Sequence, residues 1–475
     1  MPTLLHISDL HRTKGPRLYN EDLLPAILND SRRWADDGIP QPDLLVVSGD
    51  LIQGVPMDAS DADREIETQY EEAGEFLSEL TRRLFGADLA RVVVVPGNHD
   101  VQWNRAKQAM RPLETAPPEI ARRALEPESG VRWNWRELQA YEICDRGRYE
   151  SRFDHFRRFQ ASLYAGLNPN PIAEGTPDLV FVEYPSLDLA VAGFASWHGN
   201  DCFCHVGAIH PSSLARARDM VDESKARLGV AVWHHSIVGG PRAQDYMDQR
   251  VIHRLIDSGF TIGLHGHQHF PGAAPFDLRL PNLTSMAVIG AGSLAVGDLE
   301  LPMGERRQYN IVMIDEEKRV VRTHIRSMSS AGVFTKSHRD DFGGRDFMEL
   351  PLHESPVRPS GTRDLRDLDD AMAAVQLEEH DEALSLLSAS VRASYPAEAR
   401  QITILAFEGS GQTEALVAYL DPPQSVEEVI KVVSVLLDMK LFDTALERLE
   451  RGRSLISKSQ YFDLTQTIEA RRQFS

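Results

Sequence analysis

Cysteine is scarce in this chain. Three residues of 475 (Cys144, Cys202 and Cys204) cannot build a disulfide framework, and so sparse a set fits a reducing compartment. Long apolar runs are missing as well. None approaches the ~18 residues that a membrane-spanning helix needs. The start "MPTLLHISDLH" has no basic segment leading into a long apolar one, as a signal peptide would. The expectation is a cytoplasmic protein with no membrane partner. Positive charge is outweighed, with 51 Lys and Arg against 71 Asp and Glu and a net charge of −20. That excludes a protein coating nucleic acid over its whole surface, but not one with a local basic groove. Two apparent motifs also fall short. "CFCH" at 202–205 lacks a second Cys/His pair at zinc spacing. "GSGQTEA" at 409–415 lacks both the lysine and the preceding strand of a phosphate-binding loop.

What is present describes a folded α/β protein. The chain is 42% hydrophobic and 26% charged, which is globular rather than disordered, and its length exceeds one ordinary core. Up to about residue 330, short β-branched runs such as "DLLVVS", "RVVVV" and "GVAVW" alternate with helical segments. Near-continuous apolar strands of this kind are covered on both faces. Residues 101 to about 175 interrupt the rhythm with no obvious strand and are read as a helical insertion. Between Val101 and Ala165 it carries 12 Lys or Arg against 9 Asp or Glu. It is either a packed helical pair or a lid turning Arg157 and Arg158 toward an anionic substrate. Phe153 and Phe156, at helical spacing, belong to the core in both readings. Residues 336–364 ("SPVRPSGTRD") read as a linker. Residues 365–475 look helical, with Ala-Leu pairs at 383, 415 and 445. The pairs are spaced like stacked helical hairpins, although a plain bundle gives the same pattern. This region would be the surface for a protein partner.

Five strand ends share one grammar. "LLHISDLH" ends on Asp9 and His11, "LLVVSGDLI" on Asp50, and "VVVVPGNHD" on Asn98, His99 and Asp100. "VAVWHHS" ends on His234 and His235, and "IGLHGHQH" on His265, His267 and His269. Ligands gather at the carboxyl ends of strands in open α/β sheets, so these tips can converge. Carboxylate, carboxamide and imidazole without thiolate suit Mn, Fe, Zn or similar ions. The set exceeds what one ion needs, and two ions bridged by a carboxylate form a site that activates water against a phosphoryl centre.

Asp-x-His, Gly-Asp, Gly-Asn-His-Asp, His and Gly-His-x-His, in this order, resemble the calcineurin-like metallophosphoesterase superfamily over about residues 3–325. The resemblance implies a β-sandwich flanked by helices, here with an inserted helical lid and a C-terminal all-α domain. The domain boundaries would be 1–335, 336–364 and 365–475. It implies that Asp9, His11 and His269 hold one divalent ion and Asn98, His234 and His267 a second, with Asp50 bridging both. Mn²⁺ is favoured, and Fe, Zn, Ni or Mg also fit. A hydroxide between the ions would be the nucleophile. His99 would stabilise the transition state or protonate the leaving oxygen, with Asp100 orienting it. His235 and His265 would lie beside the ligands, and Arg12 would line the cleft. The C-terminal helices resemble tetratricopeptide-type repeats in three irregular copies. The implied activity is hydrolysis of a phosphodiester. Arginines interleaved with aromatics point to a nuclease acting on DNA or RNA. The alternatives are a small-nucleotide (cyclic nucleotide) phosphodiesterase, or a scaffold protein with a vestigial metal site.

Overall fold

The computed structural model describes residues 1–13, 18–116, 120, 124, 126–224, 226–238, 245–277, 285–339, 342–353, 362–377 and 379–473. It divides into two compact units, 1–356 and 357–475.

The first unit is built on two large sheets. One contains β1 (Thr3–Ile7), β2 (Leu44–Ser48) and β3 (Val92–Val95), all parallel, and continues on the other side of β1. The second contains β7 (Leu179–Tyr184), β8 (Leu189–Phe194), β9 (Leu228–Val232), β10 (Ile262–His265), β11 (Gly272–Asp277) and β12 (Ser285–Gly290). Its order is β11-β12-β10-β9-β8-β7, with β8, β9, β10 and β12 parallel. The apolar runs make this arrangement necessary, because β1, β2 and β3 are buried along their whole length and each must be covered on both faces. Helices supply part of that cover. In Ala62–Phe85 the residues Ile66, Tyr70, Ala73, Leu77 and Leu80 form one buried stripe at helical spacing. The helix ends where Gly86 turns left-handed, with φ 65°.

The first sheet extends through β13 (Gln308–Asp315), β14 (Val320–Met328), β15 (Phe334–Lys336) and β16 (Phe347–Pro351). β16 lies inside the expected linker. It pairs antiparallel with β14 from Val320↔Pro351 to His324↔Phe347, so the first unit reaches beyond residue 335. The strand is only five residues long, ends in proline and is flanked by polar, Gly- and Pro-rich chain, with its Phe347, Met348 and Leu350 no more than half-buried, and for that reason it reads as linker.

The insertion also differs from expectation. It contains a three-stranded sheet, β4 (Met110–Pro112), β6 (Gln139–Ile143) and β5 (Val131–Asn134) in that order, as well as the helices Trp103–Gln108 and Asp154–Leu163. Arginine hid the strand in "VRWN", because Arg132 is fully buried although charged. Its Nε–H donates to Asp201 Oδ2 at 2.6 Å, and an Nη2–H to Tyr149 Oη at 3.0 Å. Phe153 and Phe156 are buried, as their spacing predicts.

The second unit is helical throughout its described residues. The repeat pattern does not hold phase: Ala383 and Ala445 are buried with their leucines half-buried, whereas at the middle copy Leu416 is buried and Ala415 half-buried. No described helix is long and apolar enough to cross a membrane.

Candidate metal centre

The carboxyl ends of β1, β2, β3, β9 and β10 meet where the two sheets face each other. The loops after β1 and β2 are stitched together by Asp9 N–H to Gly49 O (3.1 Å) and His11 N–H to Asp50 O (3.0 Å). His267 N–H reaches across to Asp9 Oδ2 at 3.2 Å. Asp9, His11, Asp50, His267 and His269 all have φ between 45° and 81°, a region that residues other than glycine rarely occupy. Five such residues in one place mark a functional site, because only a surrounding structure that over-determines them sustains the strain. Glycines allow the close approach. A Cβ on Gly97 would stand 2.1 Å from Asp50 Oδ1, and one on Gly266 would overlap the Ser8 hydroxyl and lie 2.7 Å from Asp9 Oδ2.

Two donor sets result. Asp9 Oδ1 lies 3.2 Å from His269 Nε2 and 3.7 Å from His11 Nε2. Asn98 Oδ1 lies 3.1 Å from His234 Nε2 and 3.0 Å from His267 Nδ1. Asp50 Oδ2 sits between the sets, 3.5 Å from His11 Nε2 and 3.2 Å from His234 Nε2. Its other oxygen accepts the His99 backbone N–H at 2.9 Å. All seven residues of the expected ligand set are therefore together, with Asp50 between the two sets.

The far nitrogens explain how the rings are aimed. His234 Nδ1–H donates to Ser48 O at 2.7 Å and His269 Nδ1–H to Glu300 O at 3.0 Å; His11 Nδ1 bonds Gln53 Oε1 at 2.9 Å. A carbonyl only accepts, so each Nδ1 must carry the proton and each Nε2 keeps a lone pair for a cation. His267 is turned the other way: its Nδ1 joins the donor set and its Nε2 faces Asp245 Oδ2 at 3.4 Å. Asp9 Oδ1 and His11 Nε2 are buried with no hydrogen-bond partner, as atoms reserved for a cation would be. The same carboxylates raise the proton affinity of the rings. Burial works to lower His234 and His269, yet the Asp50 and Asp9 carboxylates beside them draw each up to about 9. Binding divalent ions would displace those protons. The donor set fits two such ions.

His99 stands next to His11, with ring centroids 4.7 Å apart. Its Nδ1–H donates to Gln53 O at 2.9 Å, which leaves Nε2 for a substrate. Asp100 does not perform the expected orientation. Its carboxylate accepts from Gly97 N–H (2.8 Å), Leu51 N–H (3.3 Å) and Tyr70 O–H (3.0 Å), so it braces the turn that carries Asn98. Burial and the Asp50 charge push it up to about 7. His235 packs against His267 (centroids 5.1 Å) with Nδ1 bonded to Ser196 Oγ at 2.8 Å. His265 stacks on Trp233 and faces the Gly266 carbonyl at 3.0 Å.

The expected substrate arginines are elsewhere. Arg12 is buried and donates to Leu18 O and Asn20 Oδ1. Arg157 forms a forked pair with Asp178 at 2.9–3.1 Å. Arg158 lies beside Glu67 and His155. Helical spacing told which aromatics are buried but not which carboxylates the arginines meet. Sequence reasoning missed Gln53, Asp245 and His205, the last of which packs on Trp103 near His99. None belongs to a motif, and the Ser48 and Glu300 carbonyls leave no mark in sequence at all.

The family profile described as calcineurin-like phosphoesterase matches residues 2–271, more than half of the chain. The chain belongs to the calcineurin-like phosphoesterase family. Members of this family typically bind a dinuclear divalent metal site, and the two donor sets stand where such a pair would be held. No curated protein matches the chain. Solved structures with detectable likeness include TT1561 of Thermus thermophilus (12% identity, TM-score 0.32, covering 68% of this chain and 97% of that one). PhoD is 11% identical at TM-score 0.39, covering 75% and 72%. The calcineurin-like phosphoesterase YfkN from Bacillus subtilis is 12% identical at TM-score 0.30, covering 82% and 99%.

Proposed function

We propose that this calcineurin-like phosphoesterase is a metal-dependent phosphodiesterase acting on a small phosphodiester of the nucleotide class. The observation that carries the reading is the pair of donor sets sharing Asp50 Oδ2, with His99 beside them. Asp9, His11 and His269 would hold one divalent cation, Asn98, His234 and His267 the other, and Asp50 both. Two cations in that position supply Lewis acidity and lower the pKa of water. The chain's own residues do the rest. Ser48, Glu300 and Gln53 fix the imidazoles, which cost no reorganisation when the substrate binds. His99, its Nδ1–H tied to Gln53 O, can hand a proton from Nε2 to the departing oxygen. A complete donor set with unpartnered buried atoms is also not what a vestigial scaffold would keep.

The small substrate is preferred over nucleic acid on two observations. The arginines expected to grip phosphates are engaged by Asp178, Glu67 and a backbone carbonyl, and the net charge of −20 repels a polyanion. The test is a panel with Mn²⁺: cyclic nucleotides, an aryl phosphodiester, single- and double-stranded DNA, and RNA. Small diesters should be hydrolysed, and rates should stay nearly flat as salt rises. A preference for polynucleotides, falling steeply with salt as counterion release demands, would restore the nuclease reading. No metal-dependent hydrolysis of any member would overturn the assignment.

A further inference from the structure

A pocket of about 330 Å³ opens beside His99, on the side of the chain segment that runs on from Asp50. Its walls are Val55, Pro56, Met57, Val101 and Trp103, and His99 forms the wall nearest the candidate ligands. Gln53 and Gly54 complete the lining, in which only Gln53, His99 and the Trp103 indole carry polar side-chain atoms. The volume lies at the lower end of the range for small-molecule sites, ~300–1,000 Å³, enough for one flat ring system and its attachment but not for a run of nucleotides.

The pocket is braced rather than open by accident. Gln69, buried in its helix, bonds both N–H and carbonyl of Gly54 at 3.1 Å. Asn104 Nδ2 donates to Pro56 O (3.0 Å) and Met57 O (2.7 Å). The carbonyl of Gln53 that holds His99 comes from the same segment, so one stretch of chain positions both the proton donor and the pocket wall. Trp103 lies near two imidazoles, tilted on His99 with centroids 6.1 Å apart and on His205 with centroids 5.2 Å apart. Its indole Nε1–H has no acceptor. That edge is shielded from solvent, as are the unpartnered Nε1–H groups of Trp133 and Trp197, so the half-buried Trp103 meets the pocket with its apolar ring.

Resting on the phosphodiesterase reading, we infer that this pocket receives the group attached to the leaving oxygen, and that this group is a single nucleoside-sized aromatic with Trp103 as its specificity-determining residue. His99 fixes the side. The proton it supplies goes to the oxygen whose bond to phosphorus breaks, while water's oxygen bonds phosphorus from the opposite direction. Whatever hangs on the departing oxygen therefore lies on the His99 side, against Trp103. A wall of Val55, Pro56, Met57, Val101 and Trp103 selects a flat apolar face there.

The probe is a nucleoside 5′-(methyl phosphate), whose two possible leaving groups are both primary alcohols. Full-length wild-type protein with Mn²⁺ should release mainly nucleoside and methyl phosphate rather than methanol and nucleotide. Trp103→Ala, checked for wild-type metal content, should reduce nucleoside release by about 10- to 100-fold in kcat/KM, the range for losing one base–aromatic contact. The product ratio should then shift toward methanol. Trp103→Phe should keep most of the ratio, since it retains the ring face. If Trp103→Ala is unstable, Met57→Ala, at an exposed position, should move the ratio in the same direction. A dinucleoside monophosphate and a single-stranded tetramer separate the sources. A cut only at the tetramer's end assigns the pocket to a polymer terminus, and refusal of the tetramer assigns it to free nucleotides. Internal cuts, a wild-type preference for methanol, or a ratio unchanged in all variants would overturn the inference. If neither this diester nor an aryl phosphodiester is hydrolysed with Mn²⁺, the phosphodiesterase reading itself has failed.

Discussion

Asp50 shows most clearly how one side chain can decide the chemistry. Its Oδ2 is the only carboxylate oxygen among the described residues placed within 3.5 Å of both His11 and His234. Asp50→Asn should remove the negative charge at the shared position. Metal content and hydrolysis of an aryl phosphodiester should then fall together; a variant with wild-type metal content and rate would remove the dinuclear reading. His99 is expected to behave differently. His99→Ala should keep the metals and lower turnover by roughly 10²–10⁴-fold, the usual range for losing a positioned proton donor. The loss should shrink as the leaving group becomes more acidic, which a series of substituted aryl diesters measures. Collapse of metal content in that variant would make His99 a ligand.

Elements matter where the insertion meets the sandwich. Arg132 on β5 is wholly buried against Asp201, with Tyr149 Oη donating to the same carboxylate oxygen at 2.6 Å. Breaking a buried pair leaves one charge uncompensated and costs about 3–5 kcal/mol. Arg132→Ala should therefore lower the unfolding midpoint in thermal or urea denaturation by an amount corresponding to that range. An unchanged midpoint would show that Asp201 finds other partners. Arg152, stacked on Tyr149 and Phe153 with its guanidinium carbon 3.6 and 3.9 Å from the ring centroids, acts in the same way. In Arg132 and Arg152 the arginine-aromatic interleaving is thus internal bracing, whereas Arg146, Arg148 and Arg158 are exposed. Composition cannot separate that from a phosphate-binding face, because both need cations set among rings.

For the whole molecule, the division falls at 356/357, after β16 has joined the large sheet. A fragment of residues 1–356 should retain metal binding and hydrolysis of an aryl phosphodiester, since every candidate ligand and β16 lie within it. A fragment ending at 336 should be less stable, because β14 loses its partner from Val320 to His324 and presents unpaired backbone to solvent. Equal stability of the two fragments by differential scanning calorimetry would make β16 dispensable. A metal-free, insoluble 1–356 fragment would show that the unit does not stand alone.

Much of the site could be read directly from the sequence, for a physical reason. A buried strand must be apolar, so Asp9, Asp50, Asn98 and the histidines of "WHHS" and "HGHQH" stand out where each strand stops, and parallel strands bring such ends together. Sequence alone therefore picked out the strand ends, the α/β class and the buried stripe of Phe153 and Phe156, while the division of candidate ligands into two sets came from the family resemblance. Tertiary structure decided what depends on partners distant along the chain. It turned His267 to present Nδ1, gave His99 the Gln53 carbonyl instead of Asp100, and hid Arg12. It spent Arg157 on Asp178, and it made strands of "VRWN" and "FMELP" by pairing them with other chain segments. A hydrogen bond to a backbone carbonyl or an ion pair between distant residues depends on position in space, and side-chain identity does not encode it.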